Sequence, residues 1–181
     1  MQIKRLAIFC GSQTGKNELY VRDAKRLAQI IADKHVELIF GGGKNGLMGV
    51  IADAVMEKGG IVRGVIPKAL VEWESQHTNI SELLVVEDMH VRKRKLFELC
   101  DGAIILPGGF GTLDELFEIL TWNQLSIHDK KVFIFNAHGF YDHLIQHLNR
   151  LSAEGFLYGK LEEKFTVVNS AEEIVPFIGE D

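Results

Sequence analysis

A glycine-rich turn, Pro107-Gly108-Gly109-Phe110-Gly111-Thr112, is the strongest candidate ligand site in this chain. It follows a short apolar run and precedes a helical pattern. Glycine lets the backbone approach a ligand closely, and a helix start directs unpaired N–H groups and a positive dipole end at that ligand. These properties predict a bound phosphate.

The same residues also have a purely structural interpretation. Thr112-Leu113-Asp114-Glu115 has the spacing of a capping box, in which Thr112 is the helix N-cap and Glu115 returns to the N-cap amide. Three glycines directly after an apolar strand favour the phosphate site over capping alone. We therefore expect a ligand at the start of a helix that begins at Thr112.

Two basic residues, Arg92 and Lys93, lie at the beginning of another helical pattern and extend its apolar stripe. Side chains on a helix lean towards its N-terminus, so both are expected to approach the strand ends where the glycine turns lie. Arg94 and Lys95 are explained well enough as solvated charges.

Two further turns contain glycine. Gly41-Gly42-Gly43-Lys44-Asn45-Gly46 matches the dinucleotide fingerprint G-x-G-x-x-G, but the next strand ends Gly64-Val65-Ile66-Pro67 without the acid that binds a ribose. We favour one wall of a nucleotide site over an NAD site or a merely tight turn. Gly11-Ser12-Gln13-Thr14-Gly15-Lys16-Asn17 is one residue short of a Walker A loop and ends in Asn17, so an ATPase is rejected.

Metal and nucleophile patterns are weak. His143 and His147 are one helical turn apart without a suitably placed acid, so we expect surface residues and no metal. No Ser-His-acid spacing is present. Cys10 and Cys100 form no CxxC pair, which favours a reducing compartment and a cytoplasmic protein without disulfides or structural zinc.

The elements that must position these turns alternate between short apolar runs and helical patterns. The alternation predicts a Rossmann-like, doubly wound α/β fold with about seven mostly parallel strands, helices on both faces, and one domain over residues 1–181. Ligands of such sheets bind beyond the carboxyl ends of the strands. The expected strands span 6–10, 36–40, 61–66, 83–86, 103–106, 132–135 and 165–168. The expected helices span 17–34, 47–58, 89–100, 112–125 and 140–154, and a final helix starts at Ala171. A looser stretch is expected over 68–80.

Composition excludes several classes of function. The chain has 181 residues, 46% of them apolar, and a net charge of -5. An acidic surface disfavours nucleic-acid binding, since the only basic cluster, residues 92–95, is short and lies among acids. No run of apolar residues is long enough to span a membrane or to act as a signal peptide.

Several of these segments together resemble the Lonely guy (LOG) family, whose pattern is R-K followed by P-G-G-x-G-T-x-x-E. The residues that match are Met89-His90-Val91-Arg92-Lys93, Pro107 to Glu115, Gly41-Gly42-Gly43 with Gly46-Leu47-Met48-Gly49, Ile66-Pro67, and Thr121-Trp122 with Gln124-Leu125. Members of the family hydrolyse the N-glycosidic bond of cytokinin riboside 5′-monophosphates, and often of AMP. Many are labelled "possible lysine decarboxylase", but nothing in the sequence indicates a Schiff-base lysine or a partner for a pyridoxal ring.

The resemblance implies a catalytic pair, Arg92 and Glu115, and a nucleotide site without a cofactor or metal. Glu74 lies where the family has an acid that contacts the substrate, in a variable loop, and Lys44-Asn45 departs from the family pattern. The expected substrate-binding residues are Glu74, Lys93, Gly108, Gly109, Phe110, Gly111, Thr112, Leu113, Asp114, Thr121, Gly11, Ser12, Gly43, Asn45, Gly46 and Met48.

Cleavage of an N-glycosidic bond passes through an oxocarbenium-like sugar, which a nearby carboxylate stabilises while it orients water or attacks covalently. Glu115 has this role in the hypothesis, and Arg92 either binds the phosphate or steadies the leaving base. The alternative is a carrier that binds a nucleotide or cofactor without catalysis. The helix over 113–125 is apolar nearly all round, which predicts burial on more than one side and a homodimer.

Overall fold

The computed structural model describes residues 2–71 and 76–179. Its strands form one sheet in the order β4-β3-β2-β1-β5-β6-β7, and every neighbouring pair is parallel. The Rossmann-like α/β prediction is therefore confirmed. The strands are β1 (Arg5–Phe9), β2 (Glu37–Phe40), β3 (Val62–Pro67), β4 (Glu82–Val86), β5 (Gly102–Ile105), β6 (Lys131–Phe135) and β7 (Thr166–Val168).

Helices cover both faces of this sheet. They are α1 (Glu18–Asp33), α2 (Gly46–Glu57), α3 (Lys68–Val71), α4 (Met89–Leu99), α5 (Phe110–Gln124) and α6 (Asp142–Ala153), with 3₁₀ turns at Ala137–Gly139, Leu161–Glu163 and Ala171–Phe177. The central strands are apolar on both faces, as a sheet covered by helices requires. One core packs under α1 and α2, and a second packs under α4, α5 and α6.

The chain reverses its direction of travel across the sheet at the centre. β2, β3 and β4 lie on one side of β1, whereas β5, β6 and β7 lie on the other. A crevice opens where the loops from two such strands diverge, and it is the usual ligand position in this architecture. The turns after β1 and β5 meet there, because the Gly11 amide donates to the Pro107 carbonyl over 3.0 Å.

One predicted helix boundary is wrong, that at the start of α5. α5 begins at Phe110, with Gly109 as its N-cap, so Thr112 is a buried residue of the first turn and the capping box does not form. The final helical segment begins at Ala171, as predicted, and is a 3₁₀ helix. It contains Pro176, which has no N–H to donate to the preceding turn.

The sequence predicts that α5 is buried on more than one side. In the single chain, only part of the surface of this helix is buried. Leu116 and Ile119 have no exposed surface, whereas Phe117 is 40% and Leu125 is 64% exposed. The looser stretch after β3 contains the short helix α3. Among the described residues, no helix is both long and apolar enough to cross a membrane.

Candidate active site

A cleft of about 160 Å³ lies at the carboxyl ends of β1, β2 and β5. Residues from all three glycine turns meet in it, together with one residue from α4. It is lined by Ile8, Phe9, Cys10, Gly11, Ser12, Gly41, Met48, Arg92, Gly109, Phe110, Gly111, Thr112 and Glu115. The structure thus brings together both expected catalytic residues and seven of the expected binding residues, Gly11, Ser12, Met48, Gly109, Phe110, Gly111 and Thr112.

The start of α5 forms one wall of the cleft. The first N–H groups of a helix have no acceptor within the helix, and no side chain caps this end. A side chain added at Gly109 or Gly111 would meet no atom within 4 Å, and neither residue has a left-handed backbone. Internal packing therefore does not require glycine here, whereas a ligand that approaches the amides closely would.

The neighbouring glycines are required by packing within the protein. A Cβ at Gly108 would overlap Thr112 Oγ1 and lie 2.9 Å from the Gly11 amide. Gly46 has a φ of +64°, and a Cβ there would overlap Ser12. These contacts pack the turns after β1, β2 and β5 against one another and form the floor of the cleft.

Arg92 is held by the backbone at the ends of two strands. Its Nε donates to the Val65 carbonyl over 3.1 Å, and its Nη2 donates to the Gly41 carbonyl over 3.2 Å. A Cβ at Gly41 would overlap Nη2, so glycine is what permits this approach. The remaining nitrogen, Nη1, lies 3.8 Å from Glu115 Oε1. Since the Nε–Nη2 edge is already bound, that edge is not available for a bidentate grip on a phosphate.

Burial sets this group of residues apart. Four polar or charged side chains are buried among the described residues: His77, Arg92, Thr112 and Glu115. Three of them line the cleft. Charged side chains are rarely buried unless they are paired, and Glu115, at 8% exposure, lies against Arg92 one helical turn beyond the open start of α5. A carboxylate and a guanidinium beside an anion site suit chemistry on a phosphorylated molecule.

Lys93 has a different position from the one expected. Its Nζ lies 3.1 Å from Asp114 Oδ2 and 2.5 Å from Glu118 Oε2, which ties α4 to α5 outside the cleft. Burial lowers the pKa of Lys93, but hydrogen bonds to Glu118 and Asp114 outweigh that effect and the pKa is raised. Glu118 was missed from sequence, although Asp114 and Glu118 are one turn apart on α5 and so share a face.

The other expected residues lie around the cleft or away from it. Asn45 is the N-cap residue of α2, Gly43 is buried beside Gln76, and Gly46 packs on Ser12. Leu113 is half-buried on α5, and the Thr121 hydroxyl donates to the Phe117 carbonyl within the same helix. Glu74 lies outside the described residues.

A second cavity, of about 250 Å³, adjoins the cleft at Gly11, Ser12 and Gly109. Gly108 lines it together with Tyr20 and Phe140, two aromatic residues that sequence analysis did not select. Their rings pack edge to face with centroids 5.6 Å apart.

Cys10 also lines the cleft. Burial, with a smaller contribution from the Glu115 charge, raises the pKa of Cys10 far above its usual range. A thiol that stays protonated is a poor nucleophile, so burial disfavours Cys10 as a reactive group. Within the described ranges, no group of three His, Cys, Asp or Glu side chains is placed to hold a metal ion.

Comparison with known proteins identifies the family of the chain. Residues 48–178 match the family model described as "Possible lysine decarboxylase". The chain is 40% identical over 174 residues to cytokinin riboside 5′-monophosphate phosphoribohydrolase LOG5 of Arabidopsis thaliana, covering 96% of this chain and 76% of that protein. It is 41% identical over 156 residues to LOG2 of the same plant, covering 86% and 73%.

Solved structures share the fold at lower identity. A molybdenum cofactor binding protein from Rippkaea orientalis superposes with a TM-score of 0.71 at 19% identity, covering 97% of this chain and 95% of that one. This likeness describes the architecture alone.

Proposed function

Because the chain belongs to the LOG family of phosphoribohydrolases, we propose that it hydrolyses the N-glycosidic bond of nucleoside 5′-monophosphates. The proposed substrates are cytokinin riboside 5′-monophosphates and AMP, and the products are the free base and ribose 5-phosphate. The observation that supports this most strongly is the buried Arg92–Glu115 pair beside the uncapped start of α5. A protein that only carries a nucleotide has no use for a carboxylate at that point.

The 5′-phosphate binds the first amides of α5 in this proposal. The helix dipole and the open space around Gly109 and Gly111 favour an anion there. Glu115 is four residues beyond Gly111, which is about 6 Å along a helix axis. The ribose of a bound nucleotide then extends from the phosphate towards the Glu115 carboxylate, and binding of the phosphate orients the sugar for reaction.

Glu115 acts on the sugar as its bond to the base breaks. The anomeric carbon becomes positively charged, and a buried carboxylate stabilises that charge more strongly than water does. The same carboxylate orients water, or adds to the sugar before water does so. Water supplies a hydroxyl group to the anomeric carbon and a proton to the leaving base.

Arg92 works at the reacting end of the substrate in this mechanism. Its backbone hydrogen bonds to Val65 and Gly41 fix the guanidinium plane, and Nη1 points at Glu115. It orients the carboxylate and lies close to the leaving base. The mechanism uses no metal and no cofactor.

We also propose that the protein is a cytoplasmic homodimer. Phe117, Leu125 and Ile127 are exposed on or just after α5, although they are large and apolar. Apolar side chains that are exposed on one chain and lie close together are typical of surfaces that associate. Sedimentation at micromolar concentration tests this proposal, and a monomer mass would contradict it.

Incubation of the purified protein with AMP or with isopentenyladenosine 5′-monophosphate, without added cofactor, tests the proposed activity. Adenosine is the matched control, since it has the same glycosidic bond and no phosphate. We expect base release from the nucleotides and far slower release from adenosine. Binding of both nucleotides without any release would overturn the proposal and favour a carrier.

A further inference from the structure

His77 is the one buried polar residue, among those described, that does not line the cleft. Its side chain has only 2% exposure, and both ring nitrogens are engaged. Nε2 lies 3.0 Å from Asp53 Oδ1 of α2, and Nδ1 accepts the Asn79 amide over 3.3 Å. Because Nδ1 accepts a hydrogen bond, the ring proton is on Nε2, and Nε2 donates a hydrogen bond to Asp53. The ring also packs edge to face against Phe40 at the end of β2.

The backbone of His77 is bound to the glycine turn that holds Arg92. Its amide donates to the Gly42 carbonyl over 2.8 Å, and Gln76 forms an antiparallel bridge with Gly43. The preceding carbonyl, that of Gly41, accepts Nη2 of Arg92. Two consecutive carbonyls of one turn therefore bind His77 on one side and the arginine on the other.

The backbone conformation of this glycine turn depends on such contacts. Gly42 has a φ of +80°, and a run of three glycines has more backbone freedom than other residues. The orientation of the Gly41 carbonyl is thus set by what the turn touches, and not by local backbone preference. His77 adds a second link between this turn and α2, because its amide binds the turn and its ring binds Asp53.

We propose that His77, held by Asp53, is a positioning residue that fixes the Gly41–Gly43 turn and thereby aims the Arg92 guanidinium at Glu115. The proposal rests on the glycosidase function given above. His77 does not touch the substrate in it. Its effect is on the arrangement of the two catalytic residues, while the phosphate site at α5 is built from other parts of the chain.

Three substitutions separate this role from simple filling of the core. His77→Phe keeps an aromatic ring against Phe40 but removes both ring hydrogen bonds. His77→Gln keeps a side-chain N–H that reaches Asp53. Asp53→Ala removes the acceptor at an exposed position that does not line the cleft. Asp101→Ala is the matched stability control, because Asp101 binds Arg5 and the Lys4 amide at the amino ends of β1 and β5, at the opposite end of the strands from the cleft.

The measurements are kcat and KM for AMP, the dissociation constant of ribose 5-phosphate, and the melting temperature. A small misplacement of a catalytic group lowers rates by about ten- to a hundred-fold. We expect a kcat loss of this size for His77→Phe, with ribose 5-phosphate affinity within about twofold of wild type. His77→Gln should recover most of the rate, and Asp53→Ala should lower it. Asp101→Ala should melt earlier with unchanged kinetics.

Hydrogen exchange provides a readout that does not depend on activity. The amide of residue 77 should exchange faster in His77→Phe and Asp53→Ala than in wild type, and not faster in Asp101→Ala. Unchanged exchange together with wild-type kcat in His77→Phe would overturn the proposal, as would loss of rate with no recovery in His77→Gln. A wild-type protein that releases no base would contradict the proposed function, and the exchange result would still decide whether His77 fixes the turn.

Discussion

The substitution Gly111→Ala should stabilise the protein and weaken its substrate binding at the same time. Gly111 is the second residue of α5, its backbone is helical, and a Cβ there would meet no atom within 4 Å. Alanine is favoured over glycine inside a helix by about 0.5–1 kcal/mol. For a chain of this size, the expected rise in melting temperature is about 1–4 °C.

The same methyl group would occupy the space assigned to the phosphate. Close approach of the anion to the α5 amides would then be blocked. We expect KM for AMP and the dissociation constant of ribose 5-phosphate to rise at least about tenfold, which corresponds to about 1.4 kcal/mol. The free energy of folding and the free energy of binding should therefore change in opposite directions.

Chemical denaturation and ribose 5-phosphate titration test both halves of this prediction. Gly155→Ala is the matched control, because a Cβ at Gly155 is also in open space but its φ is +79°. That variant should lose stability through backbone strain and keep its affinity. If Gly111→Ala were more stable and bound ribose 5-phosphate as tightly as wild type, the start of α5 would not be the phosphate site.

Three further predictions follow from single contacts. Gly41→Ala should abolish measurable turnover in a folded protein, since its Cβ would displace Arg92, and wild-type kcat would contradict that assignment. Burial raises the pKa of Asp101, but hydrogen bonds from Arg5 outweigh this and the pKa is lowered, so stability present near neutral pH should fall as pH drops through that depressed pKa. Asp101→Asn should flatten this acid dependence in urea titrations, and an unchanged dependence would refute it. Burial raises the pKa of Cys100 to about 11, so its thiol should resist alkylation at pH 8 until the protein unfolds, as mass spectrometry can show.

Strand and helix patterns predicted the architecture well because a covered parallel sheet requires continuous apolar strands. The position of the site also followed, since the glycine turns fall at the carboxyl ends of β1, β2 and β5. The residue at which α5 begins was not predicted correctly from the sequence. Thr112 and Glu115 match the sequence of a capping box. The helix nevertheless begins at Phe110 with Gly109 as its N-cap, and this leaves the first amides of α5 without a side-chain cap.

The contacts that side chains make with residues distant in the sequence could not be predicted either. Sequence predicted that Arg92 and Lys93 approach the strand ends together, yet neighbours on a helix point about 100° apart. Arg92 enters the cleft, whereas Lys93 meets Asp114 and Glu118. The tie between His77 and Asp53 joins residues 24 positions apart, and no local pattern in the chain indicates it.

In the proposed mechanism, the Glu115 carboxylate acts on the sugar of a nucleotide bound at α5. Comparison of Glu115→Gln with wild type, by AMP turnover and ribose 5-phosphate binding, tests it most directly. Glu98→Gln is the control, an exposed glutamate on α4 paired with Lys95. We predict that Glu115→Gln lowers kcat by about 10²–10⁴-fold while ribose 5-phosphate affinity stays within a few-fold of wild type. Turnover close to wild type in Glu115→Gln would contradict this role of the carboxylate.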